Sequence, residues 1–470
     1  MSGGFSMRVS QIARHLDARQ VGADAALSGM STDTRTLRAG DLYVAIKGDS
    51  FDGHHYLAEA RAKGAAAALV AHEVAGAPLP QIVADDRLDA RLAFGRAAKL
   101  WRSQFSAPTV ALTGSNGKTT VKEMLRGILA MHTGNADEVL ATEGNLNNDI
   151  GVPLMMVRQR PHHRYAVFEM GMNHLGEIDY LTHLVEPDVA MVVMAGTAHI
   201  GELGSREAIA QAKGEIYGAL KADGVAVVNM HDRFGNYWRQ GLQTRLPGRR
   251  VLGFGIAAED DVAGTFGTSG DGALGIRFQG QQVSVSLHVP GEHNRRNALA
   301  AAAAACALEI PLETIRRGLE EFAGVEGRLR TFTGHNSATI IDDTYNANPD
   351  SVKAAIRVLA ARPTPRVLVL GDMGELGANA PDMHREVGEF ARKAGVEKLF
   401  VLGELSREAA KAFGAQAVHF GSADDLASSL QPLLTPQTTV LVKGSRFMKM
   451  ERVVEKLVPA YLASPNGGQH

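Results

Sequence analysis

The residues best suited to chemistry in this chain form the segment Gly114-Ser115-Asn116-Gly117-Lys118-Thr119-Thr120. Glycines let backbone N–H groups approach a phosphate, and a following helix adds its positive N-terminal end. Lys118 could neutralise phosphate oxygens, and the Thr119 hydroxyl could bind Mg²⁺. The spacing is Gly-x2-Gly-Lys-Thr, shorter than the common Gly-x4-Gly-Lys-Ser/Thr loop. A tight turn carrying a surface lysine is the alternative, but an apolar strand before it and a helix after it favour phosphate binding.

Two further polar side chains follow apolar runs that read as strands. Glu169 comes directly after Val167-Phe168, and His199 follows the run from Val189 to Met194. Taken singly, a solvated glutamate and a hydrogen-bonded histidine are the simpler interpretations. Parallel sheets bind ligands at the carboxyl ends of their strands, so together with the loop these residues indicate a magnesium and nucleotide site.

Other polar groups have no role that spacing alone can assign. They comprise two amide clusters, a lysine in a helical pattern and a run after a strand: Asn145, Asn147 and Asn148; Asn294 and Asn297; Lys213; and Asp342 to Pro349. Turn and cap chemistry would account for the asparagines, and solvation for the lysine. The last run is too rich in polar groups for a simple strand end.

The elements that must position these residues alternate between strands and helices, which predicts an α/β fold with parallel, doubly wound sheets. We expect three domains: residues 1–107, ending before Pro108; residues 108–329, carrying the loop; and residues 330–463, a Rossmann-like unit. Glycine-rich turns and alternation between 250 and 290 predict an antiparallel extension of the central sheet. Residues 464–470 are expected to be frayed.

Composition narrows the class of protein. The 470 residues carry 49 Lys and Arg against 51 Asp and Glu, which argues against a nucleic-acid coat or a polybasic membrane surface. The apolar run from Ala298 to Leu308 is too short to span a bilayer. The N-terminus lacks a signal-peptide pattern, and the single cysteine, Cys306, cannot form an internal disulfide. We expect a cytoplasmic protein without membrane insertion or a nucleic-acid partner.

Taken together, the motifs resemble those of the ATP-dependent Mur ligases, which add amino acids to the UDP-linked peptidoglycan precursor. The resemblance runs from about Ser31 to Lys456 and is carried by the order and spacing of its motifs. These are Thr113 to Thr120, Gly144 to Pro153, Glu169-Met170-Gly171, Ala198-His199 with Gly204-Ser205, Ala212 to Ile216, Gly291 to Asn294 with Asn297, Glu326-Gly327-Arg328, Asp342 to Pro349, and Gly371 to Gly377.

The resemblance implies a role for each set of residues in a ligase of cell-wall synthesis that uses ATP and Mg²⁺. The catalytic set is Lys118, Lys213, His199 and Glu169. ATP would be bound by Gly114 to Thr120, Asn294, Asn297, Arg328 and Asp343. Magnesium would be held by Thr119, Glu169, His199 and, if carbamylated, Lys213. The UDP moiety would lie on the N-terminal domain, at Thr34, Arg35, Lys47, Asp52, Gly53 and His54. Further substrate contacts would come from Asn145, Asn147, Asn148, Asn346, Lys443, Ser445 and Arg446.

Within the family, Asp372-Met373-Gly374-Glu375-Leu376-Gly377 resembles the branch that adds D-alanyl-D-alanine to UDP-N-acetylmuramoyl-tripeptide through an acyl phosphate. No Asp-Asn-Pro-Arg motif of the branch adding the third residue is present. Folylpolyglutamate synthase shares the architecture but lacks the N-terminal UDP-binding domain. A nucleotide-dependent switch is the rival from another class, although no Asn-Lys-x-Asp motif follows a suitable strand. Whether the third acceptor residue is meso-diaminopimelate or L-lysine is open, and we expect a monomer.

Overall fold

The computed structural model describes residues 6–48, 50–84, 89–267, 273–459 and 461. Its strands are β1 (Met7–Arg8), β2 (Arg19–Val21), β3 (Ala26–Leu27), β4 (Gly29–Ser31), β5 (Asp41–Val44), β6 (Ala67–Val70), β7 (Gln81–Val83), β8 (Thr109–Thr113), β9 (Val139–Ala141), β10 (Tyr165–Glu169), β11 (Val189–Val192), β12 (Val225–Asn229), β13 (Arg250–Gly255), β14 (Val262–Phe266), β15 (Ala273–Phe278), β16 (Gln281–Ser286), β17 (Arg330–Thr333), β18 (Thr339–Asp343), β19 (Arg366–Gly371), β20 (Lys398–Leu402), β21 (Ala417–Phe420) and β22 (Thr439–Lys443).

Helices lie between most of these strands. They are α1 (Val9–Leu16), α2 (Leu57–Ala62), α3 (Ala90–Arg102), α4 (Lys118–Thr133), α5 (Gly151–Met156), α6 (Glu177–Val185), α7 (Ile200–Leu203), α8 (Arg206–Gly214), α9 (Gly235–Arg245), α10 (Glu292–Ala307), α11 (Leu312–Glu320), α12 (Pro349–Ala360), α13 (Ala380–Lys393), α14 (Ser406–Phe413), α15 (Ala423–Leu430) and α16 (Glu451–Leu457). The predicted α/β class is confirmed, and the predicted frayed tail, 464–470, lies outside the described residues.

The first sheet has five strands in the order β2-β7-β6-β5-β4. The strands from β4 to β7 run parallel, and β2 joins them antiparallel. The apolar runs at Asp41–Val44 and Ala67–Val70 form the buried strands β5 and β6. Sequence reasoning did not identify β2, β4 or β7, each of only three residues, because a strand that short has too few side chains to show alternation.

The central sheet has nine strands in the order β16-β15-β14-β13-β12-β11-β8-β10-β9. Strand β8 lies between β10 and β11, so later strands of the sheet lie on both sides of it. This change of side leaves a crevice at the carboxyl end of β8. The predicted antiparallel extension exists in β14, β15 and β16. It is smaller than expected, because β13 pairs in parallel with both β12 and β14.

The third sheet has six strands in the order β17-β18-β22-β19-β20-β21. All pairs are parallel except β17 with β18, which form an antiparallel edge. The four inner strands β18, β19, β20 and β22 are largely buried, whereas the two edge strands β17 and β21 are partly exposed. Edge strands are half-solvated, so their sequences lack the continuous apolar run of a buried parallel strand.

Two packing features connect the sheets. Helix α3 buries Phe94 and Trp101 completely, in one apolar core that continues from the first sheet into the central one. On the other face of the central sheet, the alanine-rich stretch of α10 is buried from Ala298 to Cys306. Small side chains let this helix lie close to the sheet and to α4. Among the helices of the described ranges, none combines the length and apolar character that a bilayer crossing requires.

Candidate active site

The predicted phosphate loop joins β8 to α4 at the middle of the central sheet. Gly117 precedes the helix with φ +82°, a conformation that favours glycine. A Cβ at this position would also clash with the side-chain oxygen of Asn297. The Ser115 hydroxyl is buried without a hydrogen-bond partner among the described residues. The loop thus combines close packing, an unsatisfied donor and the start of a 16-residue helix, as a phosphate site requires.

Lys118 is the first residue of α4 and is half-buried, unlike the surface lysine of the alternative interpretation. Its Nζ donates to the carbonyl oxygen of Gly114, 2.8 Å away. Burial lowers the pKa of Lys118, and Arg328 adds to that effect, whereas Glu169 opposes it. An anion arriving at the loop would offset the cost of this buried charge.

Glu169 ends β10 and is only 2% exposed. Oε1 accepts a hydrogen bond of 2.9 Å from Nδ2 of Asn147, and the backbone N–H donates to the Thr142 hydroxyl, also at 2.9 Å. Oε2 is buried without a hydrogen-bond partner among the described residues. A carboxylate oxygen is costly to bury unpaired, so a cation beside Glu169 would satisfy a free acceptor.

Thr119 and His199, two other predicted metal ligands, already have protein partners. The Thr119 hydroxyl accepts from a guanidinium nitrogen of Arg328 at 3.3 Å. His199 adopts φ +64°, and its Nδ1 lies 3.0 Å from Oε2 of Glu375 on the third domain. That contact is electrostatic, without hydrogen-bond alignment. His199 lowers the pKa of Glu375, so the ionised carboxylate is favoured over the protonated acid.

Lys213 lies in α8 and is 1% exposed, which excludes the solvated helix lysine of the simpler interpretation. Burial, with a smaller contribution from the Lys118 ammonium, lowers the pKa of Lys213 well below its ordinary value. No hydrogen bond or ion pair joins its ammonium to another described residue. Burial therefore favours loss of the ammonium proton, and a neutral amine is a nucleophile.

The amide cluster of α10 forms the other wall of the loop. Asn294 donates to the carbonyl oxygen of Pro290 at 2.7 Å and accepts from Asn297 at 3.4 Å. Both residues lie in the first turns of α10, which begins at Glu292. Near the loop, the Arg328 guanidinium also stacks on the Tyr345 ring at 4.1 Å.

The third domain contributes a buried ion pair. Nζ of Lys443 lies 2.6 Å from Oδ2 of Asp343 and donates to the Asn346 carbonyl oxygen at 2.8 Å. Burial lowers the pKa of Lys443, while Asp343 opposes that change. The Ser445 hydroxyl is occupied internally, between the Gly374 N–H and the Ala347 carbonyl. Arg446 forms a partly exposed pair with Glu451 at 3.2 Å.

Direct contacts hold the third domain against the phosphate loop. Asn348 caps α12 and donates to Oδ1 of Asn116 at 2.8 Å, although 232 residues separate them. Two residues further on, Oδ2 of Asp350 accepts from both the N–H and the hydroxyl of Thr197 at 2.9 Å. Sequence reasoning placed Asn348 in a polar run but assigned no role to Asp350. The Asn-Pro-Asp-Ser helix-start pattern was a signal for the cap, though not for what the cap would contact.

The predicted UDP-binding residues of the N-terminal domain do not line this cavity. Arg35 is highly exposed and pairs with Asp33 at 2.6 Å, and the Thr34 hydroxyl donates to Glu59 at 2.8 Å. The His54 ring is buried and has both nitrogens engaged, with Asp52 at 2.6 Å and the Ala71 N–H at 3.1 Å.

Two other predicted UDP-binding residues, Lys47 and Gly53, have structural roles in the backbone of the N-terminal domain. Lys47 forms an isolated antiparallel bridge with Asp52. A Cβ at Gly53 would lie 2.7 Å from the Ile46 carbonyl oxygen, so close packing accounts for this glycine. The role of the N-terminal set in binding UDP stays a prediction.

A cavity of about 850 Å³ opens between the central and third domains. The predicted residues on its wall are Ser115, Asn116, Gly117, Lys118, Thr120, Asn145, Asn147, Asn148, Glu169, His199, Asn294, Asn297, Arg328, Asp343, Asn346, Lys443 and Arg446. Gly114, Thr119, Lys213 and Ser445 lie off this wall. Most of the site predicted in the second and third domains is therefore brought to one place.

No group of three His, Cys, Asp or Glu side chains arranged to hold a metal occurs in the described part of the chain. This does not conflict with magnesium, which usually takes one or two carboxylates and completes its shell with water and substrate phosphates. The free oxygen of Glu169 beside the loop fits that pattern.

Models of the Mur ligase family match most of the chain. The middle domain matches residues 112–305, the glutamate ligase domain residues 327–446, and the family's catalytic domain residues 26–90. The UDP-N-acetylmuramoyl-tripeptide–D-alanyl-D-alanine ligase of Escherichia coli strain K12 is 41% identical, covering 96% of this chain and 98% of its own. That of Bacillus subtilis strain 168 is 33% identical, covering 93% and 94%.

Comparison with solved structures leads to the same family. A crystal structure of MurF from Acinetobacter baumannii superposes with a TM-score of 0.88 at 35% identity, covering 96% of this chain and 99% of that one. MurF ligase from Thermotoga maritima in complex with ADP gives 0.76 at 26% identity, covering 91% and 96%. The phosphate loop, the buried carboxylate and the third-domain ion pair all face one cavity. Because the relatives are this similar over nearly the whole length of the chain, the chain belongs to the Mur ligase family.

Proposed function

We propose that this protein is the ATP-dependent amide ligase that joins D-alanyl-D-alanine to UDP-N-acetylmuramoyl-tripeptide, a step of peptidoglycan synthesis. The observation that carries the proposal is the cavity between the second and third domains, where the phosphate loop faces polar side chains of the third domain. The E. coli ligase of this name is 41% identical over 96% of the chain. An ADP complex of a related MurF supports use of ATP.

The division of labour among domains follows from this. Residues 1–107 would bind the UDP moiety, residues 108–329 the ATP, and residues 330–463 the incoming dipeptide. The N-terminal surface would use Arg35, Lys47 and their neighbours, with Arg35 exchanging its Asp33 partner for the ligand. Because Thr34 and His54 are engaged by Glu59, Asp52 and Ala71, they would contribute by shaping that surface.

Ligation requires activation of the tripeptide carboxylate. A carboxylate oxygen attacks the γ-phosphorus of ATP, the bond to the ADP oxygen breaks, and an acyl phosphate and ADP form. Lys118 and the N-terminus of α4 would stabilise charge on the transferring group. The dipeptide amine then attacks the acyl carbon and loses a proton as phosphate leaves. Magnesium, when bound, would supply further charge neutralisation, with Glu169, His199 and Thr119 as the residues able to hold it.

Lys213 is proposed to act as its carbamate. Reaction of the neutral lysine amine with CO₂ forms an N–C bond, releases a proton and leaves a carboxylate-like anion in place of the amine. The burial and lowered pKa of Lys213 favour the neutral amine that this reaction requires. An anion here would attract the Lys118 ammonium and offer oxygen ligands to a second Mg²⁺.

The closed domain contacts support the same function. Acyl phosphates hydrolyse readily, so a ligase must exclude water and hold two charged substrates together. The Asn348 to Asn116 and Asp350 to Thr197 hydrogen bonds place the third domain over the phosphate loop. A nucleotide switch has no need of a third α/β domain in this position.

The decisive experiment is a product assay. The protein is incubated with Mg²⁺, ATP and D-alanyl-D-alanine, with the meso-diaminopimelate and the L-lysine UDP-tripeptides in turn, and products are identified by mass. We expect one UDP-pentapeptide, with one ADP and one phosphate per bond. Rapid ATP hydrolysis that is independent of tripeptide and dipeptide would instead identify a nucleotide switch.

A further inference from the structure

A second lysine of α4 is buried and has no role in the chemistry above. Lys122 lies one helical turn after Lys118, and its side chain is 2% exposed. Its Nζ donates to the carbonyl oxygen of Thr142 and lies 2.6 Å from Oε1 of Glu123, which is partly exposed. Packing alone would be served as well by an apolar side chain, since even a paired buried ammonium often does not recover its desolvation cost.

The acceptor, Thr142, is the residue after the edge strand β9. Its N–H continues the ladder to the Val167 carbonyl oxygen at 3.0 Å. Its hydroxyl accepts the backbone N–H of Glu169 at 2.9 Å. The ammonium of Lys122 is thus joined through one threonine to the carboxylate-bearing residue at the end of β10.

The same segment supplies the other support of that carboxylate. Asn147, five residues after Thr142, donates to Oε1 of Glu169 at 2.9 Å. Asn147 also accepts the Gly171 N–H at 2.8 Å through its carbonyl oxygen, just beyond β10. Both hydrogen bonds that orient Glu169 therefore come from the chain segment that begins where Lys122 binds.

We propose that Lys122 is a positioning residue: by tying α4 to Thr142, it sets the free oxygen of Glu169 against the phosphate loop, ready to hold a divalent cation beside a nucleotide phosphate. This inference rests on the proposed function, because it takes Glu169 as a metal ligand. Partners that orient a metal ligand commonly change metal affinity about 10- to 100-fold when they are removed.

The test uses the full-length protein with ADP and Mg²⁺ as probes. Calorimetry measures ADP affinity with Mg²⁺ and with EDTA, and their ratio is the metal enhancement. The variants are Lys122→Met, Thr142→Val and the two combined, with Glu169→Gln for the ligand itself. Glu123→Gln is the matched control, because it removes the partly exposed partner of Lys122 and leaves the bond to Thr142. Circular dichroism checks that each variant is folded.

We expect Lys122→Met and Thr142→Val each to lower the metal enhancement by about 10- to 100-fold. The double variant should lose no more of the enhancement than the more affected single variant. Glu123→Gln should match the parent protein. ADP affinity in EDTA should not change. If Glu169→Gln loses the enhancement while both positioning variants keep it, the inference is overturned and the metal assignment stands. If Glu169→Gln keeps it, the metal assignment of the proposed function fails, and this inference with it. Should Lys122→Met not fold, Lys122→Leu takes its place, because Thr142→Val keeps the backbone carbonyl that Lys122 contacts.

Discussion

Replacing Lys213 by methionine should stabilise the protein and abolish ligation. The side chain is 1% exposed, and no described residue pairs with its ammonium. Methionine fills a similar volume without a polar group, and burying an uncompensated polar group costs about 1–3 kcal/mol in proteins. We expect the free energy of unfolding at neutral pH to rise by about that amount.

The pH dependence gives the sharper test. The folded pKa of Lys213 lies well below its ordinary value of 10.5, so between the two values the unfolded chain binds a proton that the folded protein does not. Stability contributed by this group therefore rises with pH across that window, by at most about 1.4 kcal/mol per pH unit. Methionine has no such dependence. The advantage of Lys213→Met should be largest at low pH and shrink towards pH 10.5.

Trp238 is a suitable local reporter. Its indole N–H donates to the Ala210 carbonyl oxygen of α8 at 2.9 Å, and its ring packs against Gly214, the residue after Lys213. In a Trp101→Phe background, urea unfolding is followed by fluorescence at several pH values, in buffer free of bicarbonate so that the amine stays unmodified. A stability difference that is constant between pH 7 and pH 10, or a less stable methionine variant at pH 7, would refute the reasoning.

Three further outcomes are expected. Lys118→Ala should lower kcat for ligation by about 100-fold or more with little change in melting temperature, because its Nζ contacts only a loop carbonyl; turnover near that of the parent would remove this lysine from the mechanism. Lys213→Ala should be poorly active and regain part of its activity with added short-chain carboxylic acids, whereas an active variant would contradict the carbamate. Arg35→Ala should weaken UDP-tripeptide binding about ten- to hundred-fold and leave ATP binding unchanged. Arg61→Ala is the exposed control. A lower melting temperature with intact affinity would mean that Arg35 serves only its ion pair with Asp33.

Sequence alone determined the features that depend on neighbouring residues. The glycine loop between an apolar strand and a helix predicted the central sheet and its phosphate site, because a strand, a tight turn and a helix N-terminus are all local structures. The positions of Glu169 and His199 after apolar runs likewise predicted one edge of a parallel sheet. Short or half-solvated strands such as β2 and β21 lacked a periodic signal and were not found.

Tertiary structure decided what each polar residue does once the chain is packed. Lys213 and Lys122 each lie in a helix, and only the packing of α8 and α4 against the sheet buries them. His54 matched a predicted binding position, yet its ring is held by Asp52 and Ala71. The contact of Asn116 with Asn348 spans 232 residues, and no local pattern reports which distant surface a helix cap will meet. Burial and long-range partners depend on how whole elements pack, and therefore could not be derived from residue spacing.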